Sequence, residues 1–202
     1  MRLLLPLLLS LSLALSGCTL LPQASEPPRK LTLSPLQPST SVEAPAFGGQ
    51  LAIERPQTST PLSGRQAWYL DRDGTLNAFA QHVWSDSLDR LLQQQLTLYL
   101  AQSGPFASTA TDAPGFRADY RLRLTLNRWY LDTRTQQLNI DLYAQLLNDR
   151  GEQLAARVWQ ANPPVTPLSP VGMQQASQDW LQTWAEALQD WLQTLPASPS
   201  ES

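Results

Sequence analysis

Three hydrophobic patterns follow one another along this chain of 202 residues. The first is a solid block, Leu3 to Leu15, apolar except for Pro6, Ser10 and Ser12. The second is alternation, which marks strands because successive side chains point to opposite faces. Leu31 and Leu33 alternate in KLTLSPL (30–36), and QLAIERP (50–56) reads as a short strand stopped by Pro56. RQAWYLDRDGTLNAFA (65–80) reads as two strands about the turn Asp71-Arg72-Asp73-Gly74. The clearest strand is DYRLRLTLN (119–127): Tyr120, Leu122, Leu124 and Leu126 share one face, Arg121, Arg123 and Thr125 the other. At Arg128-Trp129 the alternation loses phase, which predicts a bulge. QLNIDLYAQLL (137–147) repeats the pattern with Leu138, Ile140, Leu142, Ala144 and Leu146. NDRG (148–151) then turns the chain into QLAARVWQ (153–160), where Leu154, Ala156 and Val158 are expected to point inward. Together these form an antiparallel meander with one apolar face.

The third pattern has a helical period. Trp84, Leu88, Leu91, Leu92, Leu96, Tyr99 and Leu100 predict a helix from Trp84 to Gln102, with Ser85 as N-cap and Gly104-Pro105 as its stop. The Ser/Thr/Ala/Gly/Pro-rich stretch 103–117 reads as a loop. After Pro163, Pro164, Pro167 and Pro170 a second helix is expected over 171–195, with Met173, Trp180, Trp184, Leu188, Trp191 and Leu195 as its stripe. The predicted fold class is α+β: an antiparallel-rich mixed sheet with two amphipathic helices packed on one face.

The N-terminal block is too short to cross a bilayer as a permanent helix, which needs about 20 residues. With Met1-Arg2 before it and Ser16-Gly17 after it, it reads as a cleaved signal peptide. Leu15-Ser16-Gly17-Cys18 resembles the bacterial lipobox, in which the thiol and the new amine after cleavage are acylated. Three chains at roughly 0.8 kcal/mol per buried methylene hold a hydrophilic domain on a membrane, where one chain binds only marginally. Thr19, where lipoproteins kept at the inner membrane commonly carry Asp, implies sorting to the outer membrane. The expected organisation is a signal peptide (1–17), a lipidated N-terminus and Pro-rich tether (18–30), one α+β domain (31–195) and a disordered tail (196–202).

Cys18 is the sole cysteine, so once it is acylated the chain has neither a free thiol nor a disulfide. His82, the sole histidine, cannot build a Cys/His metal site alone, and no cofactor is expected. Without residues 1–17 the chain carries 13 basic and 17 acidic residues, a net charge of −4. With no basic stripe, a nucleic acid would be repelled. No GxSxG, HExxH, Gly-rich phosphate loop or Cys/His pair is present. Asp71/Asp73 lie in a turn and Asp86/Asp89 at a helix start, places where Asp is favoured for local reasons. The chain therefore reads as a non-enzyme.

What remains is aromatic. There are seven tryptophans, six of them from Trp84 to Trp191. His82 and Trp84 either close a core edge or form a surface for a partner. The stripe Trp180, Trp184 and Trp191 is either core or a shared interface, since aromatics with a polar tip suit both. Gln174, Gln175, Gln178, Gln182, Gln189 and Gln193 flank that stripe where soluble helices usually carry Lys and Glu, and they would pack against a neighbouring subunit at little desolvation cost. Lys30 is the sole lysine.

These pieces resemble one family. The lipobox, the tether, LTLSPL, LAIERP, TLNAFAQHVWSDSLDRLLQQQL, ADYRLRLTLNRWYLD, LNIDLYAQLLNDRGEQLAARVWQ and the terminal helix are similar to the ABC-type transport auxiliary lipoproteins, which include the paraquat-inducible protein C lipoproteins. The most specific parts are HVW before the helix and the ADY strand followed by the NDRG hairpin. The resemblance covers about residues 30–195. It implies a non-enzymatic outer-membrane component of a lipid-transport system, docking an MCE-type periplasmic protein that works with an inner-membrane ABC transporter. Members of the family can assemble into homo-oligomeric rings. The family offers no ligand residues to carry over, and the scarce lysine and glutamine-rich helices depart from its pattern. The rival readings are a lipid or lipoprotein carrier with its own cavity, and an envelope-assembly scaffold.

Overall fold

The computed structural model of the protein describes residues 26–38 and 47–195. The signal block, Cys18, most of the tether and the tail lie outside the described residues. In chain order the elements are β1 (Arg29–Leu31), β2 (Phe47–Ile53), β3 (Gln57–Thr58), a 3-10 turn (Thr60–Ser63), β4 (Gln66–Leu70), β5 (Leu76–Trp84), α1 (Leu88–Ser103), β6 (Phe106–Thr111), β7 (Tyr120–Asp132), β8 (Gln137–Asn148), β9 (Gln153–Ala161) and α2 (Pro170–Gln193).

The spine is β7. Along one edge β8 runs antiparallel over its whole length, Tyr120 opposite Asn148 and Asp132 opposite Gln137, and β9 pairs beyond β8. Along the other edge the chain follows β7 in three parallel steps. β2 lies beside Tyr120–Leu122, β3 beside Thr125–Leu126 and β4 beside Leu131–Asp132. Pro56, which has no N–H for a ladder, falls at the break between β2 and β3. β6 extends the sheet past β2, and β5 followed by β1 extends it past β4. This is a mixed sheet in which the antiparallel pairings are the long ones, and α1 and α2 close its inner face, as the hydrophobic pattern requires.

The bulge falls where the phase is lost. Leu126 and Trp129 are both wholly buried, although an odd step would put them on opposite faces. The register shifts between Leu126 and Arg128, so Asn127 is the extra residue and Trp129 returns to the core. On the outer side Asp141 accepts hydrogen bonds from Asn127 Nδ2 at 3.0 Å and Gln160 Nε2 at 2.8 Å.

Four expectations shift. Helix α1 begins at Leu88 with Ser87 as its N-cap, not at Trp84 after Ser85. Trp84 ends β5 and happens to lie one helical turn before Leu88, which extends the apparent period. The stretch expected as a loop contains β6, an edge strand whose Ser, Thr and Ala side chains carry no apolar alternation. In β9 the phase is the reverse of that expected. Leu154 and Val158 are exposed, while Ala155 and Trp159 pack on the core. A register shift of one residue between Leu146 and Leu147 dictates this: the inward-facing Leu142, Ala144 and Leu146 of β8 have Trp159, Arg157 and Ala155 as partners, in place of Val158, Ala156 and Leu154.

The fourth concerns the chain after β1, which leaves the sheet sooner than the Leu31/Leu33 alternation suggests. Leu31, Leu33 and Leu36 are nevertheless buried. The intervening backbone is served by glutamines. Gln178 accepts from Ser34 N at 2.7 Å and donates to Ser34 O at 3.3 Å. Gln182 accepts from Gln37 N at 3.0 Å and donates to Gln37 O at 2.7 Å. From α1, Gln95 accepts from Leu36 N at 3.0 Å and donates to Leu33 O at 3.3 Å. A side-chain amide carries the same donor and acceptor as a peptide group, whereas Lys only donates and ionised Glu only accepts. Gln178 and Gln182 thus hold the chain's own N-terminal strap, where a neighbouring subunit was expected.

Candidate interaction surface at the open edge of the sheet

The strand at one end of the sheet, β9, pairs with β8 on one side only, so its other row of peptide groups has no strand beside it among the described residues. Its outer face is apolar, with Leu154 43% and Val158 54% exposed. An open edge with an apolar flank is a template for pairing with another strand.

Behind this edge stands a tryptophan stack. Trp159 of β9 meets Trp184 edge-on at 6.0 Å and Trp191 edge-on at 5.4 Å. Trp180 stacks on Trp184 at 5.5 Å and turns its edge to Trp129 of β7 at 5.6 Å. These edge-to-face and stacked arrangements suit the ring quadrupoles. Trp129 Nε1 donates to Ser177 Oγ at 3.2 Å, and Ser177 Oγ donates to Met173 O at 2.8 Å. The Nε1 groups of Trp159 and Trp184 are buried without a partner. Arg157 covers the outer end, its guanidinium carbon 5.0 Å from the Trp159 ring centre.

The helix spacing brings Trp180, Trp184 and Trp191 together, and β7 and β9 add Trp129 and Trp159. Trp184 and Trp191 are buried, so in the monomer they are core, while Trp180 and Trp159 keep part of their rings at the surface. Trp84 sits elsewhere, wholly buried at the end of β5 beside Leu31. His82 is half-buried on the same strand, opposite Arg29 of β1. Arg157 and Trp159 are the members that sequence reading missed. An unbroken count from the NDRG turn pairs Leu142 with Val158 and leaves both outside; a one-residue shift of register between Leu146 and Leu147 brings them to the inner side.

At the start of α1 lies a shallow cavity of about 320 Å³ lined by Arg55, Arg90, Gln93, Gln94, Thr111 and Asp112. Its charges are matched: Arg55 pairs with Asp89, Arg90 with Asp86 at 3.8 Å, and Arg121 with Asp112 at 2.6 Å. Burial pushes the Asp89 carboxyl up, but the Ser87 hydroxyl and the Arg55 guanidinium together hold it below the usual carboxylate range. Among the described residues no three of His, Cys, Asp and Glu converge as a metal site. No helix among them is long and apolar enough to cross a membrane.

The fold has solved counterparts. A protein from Xanthomonas campestris, XCC0632 of the DUF330 family, superposes with a TM-score of 0.71 at 18% identity, covering 81% of this chain and 93% of that one. The crystal structure of an uncharacterized protein superposes with a TM-score of 0.64 at 14% identity, covering 81% and 99%. At such identities the likeness is one of fold. No curated protein matches the sequence. The sequence model of the family described as "ABC-type transport auxiliary lipoprotein component" matches residues 31–189, from the strap through most of α2. The chain is a member of that family of transport auxiliary lipoproteins.

Proposed function

We propose that the protein is an outer-membrane lipoprotein, held by acyl chains on Cys18 after removal of residues 1–17, with residues 31–195 as a single domain on the periplasmic face. It serves as the non-enzymatic docking component of an ABC/MCE-type lipid-transport system. The observation that carries this reading is the family match over residues 31–189. The lipobox-like Leu15–Cys18 supports the anchor, and the open edge of β9 supplies a surface on which a strand of an MCE-type partner, or of a second copy in a ring, can pair. His82 and the exposed parts of Trp159 and Trp180 are further contact candidates. ATP hydrolysis belongs to another subunit in this scheme.

The test is crosslinking of the acylated protein in its own membrane, followed by mass spectrometry of what it carries. Recovery of an MCE-type protein is expected, with a ladder of subunits if a ring forms. Recovery of one lipid per monomer and no protein partner would make the chain a carrier and overturn the docking role.

A further inference from the structure

Arg29 and Lys30 are exposed on β1, and neither forms an ion pair among the described residues. The parallel register of β1 on β5 sets Arg29 opposite His82, Lys30 opposite Val83 and Leu31 opposite Trp84. On the far side of β5, Arg65 locks onto Trp84: its carbonyl accepts from Trp84 N at 2.7 Å and its Nε donates to Trp84 O at 3.2 Å. Strands about 4.8 Å apart thus bring three cations within roughly two strand spacings at one corner of the sheet. Glu26 precedes Arg29 in the chain, and Asp86 is already engaged with Arg90 at 3.8 Å. In a chain of net charge −3, this corner has the opposite sign.

It is also where the chain arrives from its anchor. Ten residues separate Cys18 from Arg29. Whatever their conformation, at ~3.6 Å per residue they span no more than about 40 Å. We propose that the Arg29/Lys30/Arg65 corner docks on anionic phospholipid headgroups of the membrane that holds the anchor, orienting the domain. This rests on the acylation of Cys18 proposed above. The strand order places β9 at the opposite edge of the sheet, beyond β5, β4, β7 and β8, so docking at β1 leaves the open edge turned away from the bilayer.

The sole thiol allows a test that does not depend on cellular acylation. The chain from Cys18 onward is coupled to a maleimide lipid in vesicles of phosphatidylcholine alone, or with one part in three phosphatidylglycerol. A benzophenone amino acid replaces Gln66, which is exposed and lies across Val83 from Lys30. Lipid crosslinks at position 66 are expected to rise at least tenfold with the anionic lipid. They should fall about fivefold for each of Arg29→Gln and Lys30→Gln, and collapse at high salt. Arg65 is left unchanged because it also holds Trp84. Equal yields on both vesicles, or a double variant that crosslinks like the parent, overturns the proposal. The intact mass of the N-terminal peptide from native membranes tests the anchor separately: an unmodified Cys18 sinks the anchor reading and the native setting of this docking together, whatever the vesicles show.

Discussion

Gln95 joins α1 to the strap through two hydrogen bonds in a part-buried place. Gln95→Ala leaves one peptide N–H and one carbonyl without that partner, which costs about 1–2 kcal/mol in a urea titration. Gln95→Glu is expected to be worse than its size suggests, because a carboxylate would face the Leu33 carbonyl with no donor. Exchange of the Leu36 amide with solvent should accelerate in both variants. Asp89 gives a signed dependence on pH. Its folded carboxyl lies below the ordinary range, so the stability it contributes is present above the unfolded value of about 4 and lost as pH falls through the lower folded value. The advantage of the parent over Asp89→Asn should therefore be largest near neutrality and shrink below about pH 4, read from paired denaturation curves. Such contacts are hard to see in sequence. A glutamine that grips a backbone leaves no periodic trace, and Trp84 counts equally well toward a strand end or a helix start.

At the scale of elements, α2 depends on close approach at its first turn and on the ring stack along its length. A Cβ on Gly172 would lie 1.9 Å from the carbonyl oxygen of Pro167. Gly172→Ala must push the helix off the preceding loop, at a cost of about 2 kcal/mol or more by calorimetry. Further along, Trp184 is 2% exposed between Trp159 and Trp180. Trp184→Ala should cost about 3–5 kcal/mol, and Trp180→Ala clearly less, since part of that ring faces water. The strong elements were legible: β7, β8 and α2 alternate or repeat over many residues, and even the bulge at Asn127 shows in the broken phase. β6 was not, because an edge strand packed through Phe106 alone needs no apolar alternation. β9 was misread because a one-residue register shift beside the NDRG turn, which no local period encodes, sends Leu154 and Val158 outward and leaves an arginine and a tryptophan on the face that packs.

For the whole molecule, the strap decides whether the two helices close. Leu31, Leu33 and Leu36 are each buried to 8% exposure or less. Three such side chains contribute about 5–9 kcal/mol, comparable to the entire stability of a small domain. A chain beginning at Pro38 is therefore expected to be unfolded or aggregated, whereas one beginning at Glu26 should melt cooperatively. Circular dichroism and light scattering would separate the two. The layered α+β plan followed from pattern alone because each amphipathic face demands a partner. The order of strands around β7 did not, since β2, β3 and β4 reach it in steps of two or three residues that no local period encodes.

The clamps on the strap read peptide groups, not letters. Thr32, Ser34, Pro35 and Gln37 are exposed and take no part in that reading through their side chains, with the small exception of a Gln37 amide folded back on Pro35 O. Over generations these positions can drift to almost anything. Proline alone is barred at 34, 36 and 37, where an N–H must be offered. The three helix amides, by contrast, cannot drift without loosening the strap. Two descendants can therefore keep one geometry here while sharing few residues, a local instance of how 18% identity accompanies a TM-score of 0.71.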